Sequence, residues 1–382
     1  MFQLFKSYFS PVMGQRFQEF DGLRAWAILM VFGVHWLGPY AAVQYYGGPT
    51  HMLGLSFLRF LNAGHIGVDL FFVLSGFLIF YVLTSQPVGL AKFIQKRFQR
   101  LLPAHWFVVF LLLVVFHQNF SELSWNTIFH VLLNLFFLNQ FIAGVPALSF
   151  VSWSLSYEFV FYIFLWFCVT AFNKNKTWDR LWAWILVLLF LYSLQIMLPK
   201  YFGNPYKYLD MARGAAFFWG VFLGRLYFYE KTLWDYCQKY CVKYSVLAMV
   251  GIVLLQVFWS MPGHAQRLIE HRGNLMAYYL ILHALMTVLV GAMLSSQPQF
   301  LKKVFSFWPL RMLGLTSYSF YLVHGVLAIP ISAYFLKWMS GSFLKILVHG
   351  LLALVLSFFL SILSYHFWER PYFLRKKQAQ KK

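Results

Sequence analysis

Apolar stretches long enough to cross a lipid bilayer recur along most of this 382-residue chain. A membrane-spanning helix needs about 20 predominantly apolar residues. Hydrophobic residues make up 61% of the sequence and charged residues 11%, which leaves too few polar side chains to cover a water-soluble globule. We therefore predict an all-α integral membrane protein, a single membrane domain over residues 1–382, with ten spans at about 21–42, 64–85, 101–117, 151–172, 181–198, 211–229, 244–262, 274–295, 313–336 and 346–368.

A further apolar segment, 127–143, contains several polar residues: His130, Asn134, Asn139 and Gln140. We interpret it as re-entrant or interfacial, so that ten full crossings leave both termini in the cytoplasm, with short tails at about 1–20 and 370–382. This topology assigns 23 of the 31 Lys and Arg residues to the cytoplasmic side, where basic residues tend to stay. We expect a multi-pass protein of a cell membrane, most simply the cytoplasmic membrane of a bacterium.

The charge and cysteine patterns exclude two classes of partner. The net charge of +20 comes from short clusters between the spans and not from one basic stripe, so we expect no nucleic-acid partner. Cys237 and Cys241 are not accompanied by a cluster of metal-ligating residues, so no metal site is predicted. The lipid bilayer is an expected partner, and the sequence predicts no oligomeric state.

The first predicted span carries Arg24 and His35 on one helix face. They are eleven residues apart, which is almost three helical turns and about 16 Å along the axis. The predicted topology places Arg24 near the cytoplasmic boundary and His35 in the outer half of the bilayer. An ionisable side chain at that depth is costly and marks a candidate functional site.

Two other spans carry acids to the same depth. His65 and Asp69 are four residues apart in the second span, and Ser154 and Glu158 are four apart in the fourth, so each pair shares a helix face. Under the predicted topology, three separate helices bring His35, Asp69 and Glu158 to one layer of the membrane.

This set of residues suits general-base catalysis on a hydroxyl group. A neutral imidazole can remove a hydroxyl proton, and a carboxylate on its other nitrogen fixes the tautomer. We take His35 as the base, with Asp69 or Glu158 orienting it; a protonated Glu158 that donates a proton is an alternative. A structural interpretation stays open for each residue, because buried polar groups also hold neighbouring helices together, and we favour it for His65 and His324.

A basic cluster near the cytoplasmic side predicts a second subsite. Arg97 and Arg100 are three residues apart, beside Lys92 and Lys96. Arginine binds phosphate oxygens through two parallel hydrogen bonds, which suits the phosphates of a nucleotide carrier such as coenzyme A. The alternative is that topology alone enriches this loop in basic residues.

Six segments in order resemble the membrane acyltransferase 3 family: FDGLRAWAILMVFGVHW, GVDLFFVLSGFLI, KRFQRLLPAHW, SWSLSYEFVFY, SYSFYLVHG and WERPY. The resemblance implies an enzyme that moves an acyl group, commonly acetyl, from cytoplasmic acyl-CoA to a hydroxyl of a sugar or of a lipid-linked glycan precursor. In it, Arg24 and His35 match the basic-residue-to-histidine motif, Arg97 and Arg100 match RxxR, and Glu158 closes the WSLSxE-like segment.

We therefore expect a membrane-bound O-acyltransferase with acyl-CoA, in the first instance acetyl-CoA, as donor and a cell-envelope glycan as acceptor. Two alternatives stay open: a transporter or flippase of a lipid-linked sugar, and a non-catalytic scaffold in polysaccharide assembly. Ser154 is the candidate nucleophile if an acyl-enzyme forms. The candidate residues are, for catalysis, His35, Glu158 and Asp69; for acyl-CoA binding, Arg24, Arg97 and Arg100; and as accessory groups, Ser154, His65 and His324.

Overall fold

Every regular element that the structure describes is helical. The computed structural model describes residues 8–9, 17–42, 50–85, 87–115, 124–142, 144–145, 147–174, 181–197, 213–297, 299–336 and 343–379. Helices α1 to α16 are, in chain order, Gln18–Ala42, Thr50–Asn62, Gly67–Ser85, Leu90–Val115, Trp125–Leu135, Trp153–Lys174, Leu181–Met197, Gly214–Tyr229, Lys231–Ser260, His264–Glu270, Arg272–Leu294, Phe300–Phe305, Trp308–Leu315, Ser317–Leu336, Phe343–Ser364 and Arg370–Ala379. The prediction of an all-α protein is confirmed for these residues.

Six helices in the described part of the chain are long and apolar enough to cross a membrane. They are Ser56–Ser85, Leu90–Val114, Trp153–Ala171, Lys231–Ser260, Gly273–Leu294 and Leu344–Arg375. These six overlap six of the predicted spans, and α1, α7, α8 and α14 overlap the other four. The chain is therefore a multi-pass membrane protein, whereas the count of ten spans and the cytoplasmic placement of both termini stay predictions.

The segment 127–143, which is apolar but carries several polar residues, does not form one long helix in its described part. It contains most of the short helix α5 and a 3-10 turn at Asn139–Phe141. With 11 residues, α5 is about 16 Å long, roughly half the thickness of the hydrocarbon core. Two side chains of α4 hold it: the ring Nε2 of His105 lies 2.9 Å from the carbonyl oxygen of Asn134, and Trp106 Nε1 donates to the carbonyl of Leu135 at 3.0 Å. This length agrees with a re-entrant or interfacial segment.

Two glycines let α3 and α8 pack backbone against backbone. A Cβ atom added at Gly76 would lie 1.8 Å from the carbonyl oxygen of Phe217, and one added at Gly220 would lie 1.9 Å from that of Val73. No side chain fits at such distances, so glycine is required at both positions. Small residues commonly allow membrane helices to approach each other this closely. This contact fixes the position of α3, which forms the longest wall of the cavity described below.

Asp69 belongs to a buried network that joins four helices. Asp69 and His283 are fully buried, and the ring Nε2 of His283 donates to Asp69 Oδ1 at 3.2 Å. Tyr192 Oη donates to the other ring nitrogen of His283 at 2.8 Å, and Trp219 Nε1 donates to Tyr192 Oη at 3.0 Å. Arg213 Nε lies 4.0 Å from Asp69 Oδ2. A buried carboxylate is tolerated when it is paired and hydrogen-bonded in this way, so Asp69 links α3 to α7, α8 and α11.

The last span continues beyond the predicted membrane boundary. A π-helical turn at Tyr365–Glu369 leads into α16, which occupies most of the segment that the sequence predicts as a cytoplasmic tail. The guanidinium of Arg100 lies 5.5 Å from the ring centroid of Phe373. The start of α16 therefore packs against the arginines that the sequence predicts to bind the donor.

If Asp69 has the structural role that its network indicates, replacing it should lower the stability of the protein and not only its activity. Replacing Asp69 by Ala removes the hydrogen-bond acceptor of the buried His283 Nε2 and the nearby carboxylate of Arg213, which we expect to destabilise the protein by about 3–5 kcal/mol. Thermal denaturation in detergent should show a clearly lower midpoint. As a control, Asp235→Ala removes an exposed carboxylate that accepts a hydrogen bond from Gln238, and it should leave the midpoint unchanged. An unchanged midpoint for Asp69→Ala would contradict the role of this network.

Candidate active site

An elongated cavity of about 330 Å³ lies among five helices: α1, α3, α4, α6 and α14. Its lining follows α3 from Val68 to Val82, a stretch along which the helix rises about 21 Å. The cavity thus runs along much of the thickness of the hydrocarbon core. Its polar lining residues are Arg24, Ser75, Tyr81, Arg97, Arg100, Ser154, Glu158, Tyr162, Ser317, Tyr318 and Tyr321.

Three arginines define one end of this cavity, which we call the arginine end: Arg24, Arg97 and Arg100. Arg24 Nη1 lies 3.6 Å from Asp21 Oδ1. Arg97 and Arg100, in contrast, form no ion pair with any described carboxylate, and the buried Nε atom of each has no hydrogen-bond partner among the described residues. Charged groups in such surroundings are normally paired. The arginine end therefore has the chemistry of a site for an anionic ligand.

A second, smaller cavity of about 170 Å³ borders the arginine end. The two cavities share Arg24, Arg100, Ser317 and Tyr318. The smaller one also has Glu369 in its wall, and the carboxylate of Glu369 accepts hydrogen bonds from the backbone N–H and the hydroxyl of Ser319 at 3.1 and 2.6 Å. The wall of the smaller cavity thus contains two carboxylates, of Asp21 and Glu369, and two guanidinium groups, of Arg24 and Arg100.

Glu158 lines the large cavity between Ser154, one turn before it on α6, and Tyr162, one turn after it. Its Oε1 accepts a hydrogen bond from Ser75 Oγ at 2.7 Å and another from the hydroxyl of Tyr162. The guanidinium of Arg97 lies 5.8 Å from the ring centroid of Tyr162. Two donated hydrogen bonds hold the carboxylate in place, and they leave its other oxygen, Oε2, as an acceptor towards a ligand.

Ser154 and Tyr321 define the other end, which we call the serine end. Their hydroxyls lie 2.9 Å apart, and Tyr321 Oη also donates to the carbonyl of Val151 at 2.5 Å. Behind this pair, the ring of Tyr321 is 5.7 Å from the ring of His324, and His35 Nδ1 is 2.9 Å from His324 Nε2. His35 therefore lies just beyond the serine end, with its ring also against Phe150 at 4.9 Å.

The structure brings some of the predicted site residues together and separates others. Five line the large cavity: Arg24, Arg97, Arg100, Ser154 and Glu158. His35, His65, Asp69 and His324 are not among its lining residues. The carbonyl oxygen of His65 accepts a hydrogen bond from Arg213 at 3.4 Å, and its ring packs on Trp259 at 4.6 Å, so His65 lies beside the Asp69 network.

The prediction that Asp69 or Glu158 orients His35 is wrong for the described residues. The hydrogen-bond partner of His35 is His324, that of Asp69 is His283, and those of Glu158 are Ser75 and Tyr162. Helical periodicity correctly puts each residue on a polar face of its own helix. It does not reveal which neighbouring helix that face meets.

Several polar residues of the site were missed by the sequence analysis. Tyr162 follows Glu158 by four residues, a spacing that indicates contact on one helix face and could have identified it. His283 is an ionisable residue within the apolar sequence LILHALM, which is itself a signal. Ser75 and Tyr321 carry no such signal, because serine and tyrosine are common in membrane helices.

Comparison with known proteins places the chain in a family. A family model of acyltransferase family 3, described as an acyltransferase domain, matches residues 17–366. No solved structure matches the chain significantly. Similar curated proteins include peptidoglycan O-acetyltransferase OatA of Listeria monocytogenes, 27% identical over 80% of this chain and 48% of the relative.

Two further relatives have similar coverage. O-acetyltransferase OatA of Staphylococcus aureus is 25% identical over 94% of this chain and 57% of its own length. The putative peptidoglycan O-acetyltransferase YrhL of Bacillus subtilis is 28% identical over 92% of this chain and 54% of its own length. This chain thus spans about half the length of the curated relatives it matches. Because the family model covers nearly all of the chain, the protein belongs to the membrane acyltransferase 3 family.

Proposed function

We propose that this protein transfers an acyl group, in the first instance acetyl, from an acyl-CoA to a hydroxyl of a cell-wall glycan. The observation that carries the proposal is the large cavity, whose lining includes two arginines that form no ion pair with a described carboxylate and the hydrogen-bonded pair Ser154–Tyr321. His35 is linked to that pair through His324, whose ring lies 5.7 Å from the ring of Tyr321. The names of the relatives support peptidoglycan or its precursor as the acceptor, because they are peptidoglycan O-acetyltransferases.

The arginine end suits the phosphates of the donor. Arg97 and Arg100 line the cavity and form no ion pair with a described carboxylate, and phosphate oxygens accept paired hydrogen bonds from arginine. An acyl-CoA has its phosphates at one end, the thioester at the other and a thin amide-containing arm between them. In a cavity about 21 Å long, the arm passes Glu158, whose carboxylate can accept hydrogen bonds from the amide N–H groups.

The serine end is where we place the reaction. Nε2 of His35 accepts the proton of the acceptor hydroxyl while the hydroxyl oxygen attacks the thioester carbonyl. The tetrahedral intermediate collapses with cleavage of the C–S bond, and the leaving thiolate takes the proton back from His35. The products are the glycan ester and free CoA thiol. Ser154 and Tyr321 line the cavity and His35 does not, so in this proposal the two hydrogen-bonded hydroxyls separate for the thioester to reach the base.

Removal of the base gives the first test. Purified protein in proteoliposomes is supplied with radiolabelled acetyl-CoA and soluble peptidoglycan glycan fragments, and label on the glycan is measured. His35→Ala should lower the rate by about 10²- to 10⁴-fold, the usual contribution of general-base catalysis. His271→Ala, which removes an exposed histidine, should keep the wild-type rate.

Three results would contradict the proposed reaction. The first is a wild-type protein that transfers no label; the second is movement of a lipid-linked sugar across the vesicle membrane with no consumption of acetyl-CoA, which would identify a transporter. The third is full activity of His35→Ala, which would remove histidine from the role of base.

The two arginines make a separate prediction about the donor. Removing both charge-assisted hydrogen bonds in an Arg97→Ala, Arg100→Ala variant should raise the KM for acetyl-CoA by at least about 100-fold, since each such bond contributes about 1.5–3 kcal/mol. The KM for the glycan should change little. A Lys92→Ala, Lys96→Ala variant removes the same charge from the same helix, at positions outside the cavity lining, and serves as the matched control. Equal changes in both variants would contradict a donor site at Arg97 and Arg100.

A further inference from the structure

His35 and His324 form a pair that the motifs do not connect. They are 289 positions apart in the sequence, on α1 and α14, and His35 Nδ1 lies 2.9 Å from His324 Nε2. The rings are nearly parallel, with centroids 5.1 Å apart and an interplanar angle of 25°. His324 is fully buried, so its hydrogen bonds come from the protein around it.

The backbone determines which nitrogen of His324 carries the proton. His324 Nδ1 lies 2.9 Å from the carbonyl oxygen of Phe320. A carbonyl oxygen can only accept a hydrogen bond, so Nδ1 carries the hydrogen and donates it. A neutral imidazole has one N–H group, and Nε2 of His324 is therefore an acceptor.

The hydrogen bond between the two rings then determines the tautomer of His35. Because His324 Nε2 accepts, Nδ1 of His35 must donate, and a neutral His35 then has its lone pair on Nε2. This nitrogen is the one that can take a proton from a hydroxyl. We infer that His324 is a positioning residue that holds His35 in the tautomer with a basic Nε2; the inference rests on the proposed function in which His35 is the base.

The surroundings of His324 make this arrangement different from a histidine oriented by a carboxylate. The described rings around it belong to Phe32, Phe320 and Tyr321, with centroids 5.7–6.4 Å away, and neither ring of the pair is hydrogen-bonded to a described carboxylate. The Phe320 carbonyl cannot accept a transferred proton as a base would. When His35 Nε2 takes up a proton, the positive charge can be shared with His324 through their hydrogen bond but passes no further, because the Phe320 carbonyl is not a base. The proton on Nε2 therefore remains available to the leaving thiolate.

Two substitutions at His324 test the inference in the transfer assay. His324→Leu removes the acceptor for His35 Nδ1, and we expect kcat to fall about 100-fold while the KM for acetyl-CoA and the KM for the glycan stay within about threefold of wild type. In His324→Gln, the side-chain oxygen can take the place of Nε2 as acceptor. This variant should recover kcat to within about tenfold of wild type.

A matched control is available on α15. His349 is buried, and its ring packs at 4.7 Å on that of Trp36, the residue next to His35. His349→Leu makes the same chemical change near the same segment without touching the pair, and it should keep the wild-type kcat. A His324→Leu variant with wild-type kcat, or a folded His324→Gln variant no more active than His324→Leu, would overturn the inference.

A measurement on the unmodified protein covers the case in which His324→Leu does not fold. Nitrogen NMR of the protein with ¹⁵N-labelled histidine, assigned by comparison with His35→Ala, reports which ring nitrogen is protonated. We expect Nδ1–H and an unprotonated Nε2 for neutral His35. The opposite tautomer would overturn the inference. Full transfer activity of His35→Ala would instead refute the proposed base and leave the tautomer result standing.

Discussion

The cost of burying charge in an apolar helical bundle governs the arrangement of this protein. A buried charge is tolerated when it is paired, and the protein pairs Asp69 with His283 and Arg213 where four helices meet. At Arg97 and Arg100 no described carboxylate completes the pair. The first group holds helices together, whereas Arg97 and Arg100 line a cavity without an ion pair to a described carboxylate, an arrangement that suits an anionic ligand.

The position of the cavity follows from the packing of α3. Gly76 and Gly220 allow α3 and α8 to touch through their backbones, and the Asp69 network ties the same helix to α7 and α11. One face of α3 is thereby fixed against the bundle. The other face, from Val68 to Val82, is exposed to the cavity, so a rigid wall connects the arginine end with the serine end.

Residues within one helix could be predicted from the sequence, whereas contacts between helices could not. The three-residue spacing of Arg97 and Arg100 and the four-residue spacing of Ser154 and Glu158 follow helical periodicity, and all four line the cavity. The partner of His35 could not be predicted, because periodicity states which face of α1 carries His35 but not that α14 brings His324 to that face. Asp69 was misassigned for the same reason, since its partner His283 lies 214 positions away. The positions of ionisable residues were a better guide to the structure than the contacts predicted between them. Ionisable residues in apolar segments lie in both the cavity and the Asp69 network.

In the proposed function, the acyl group passes along the large cavity from a donor bound at one membrane face to an acceptor at the other. Proteoliposomes with acetyl-CoA sealed in the lumen and glycan fragments outside, compared with vesicles that hold both inside, measure this directly. We expect label to reach the outer glycan while CoA stays in the lumen, at a rate that His35→Ala lowers by about 10²- to 10⁴-fold. Transfer that occurs only when donor and acceptor are in the same compartment would contradict the proposed function.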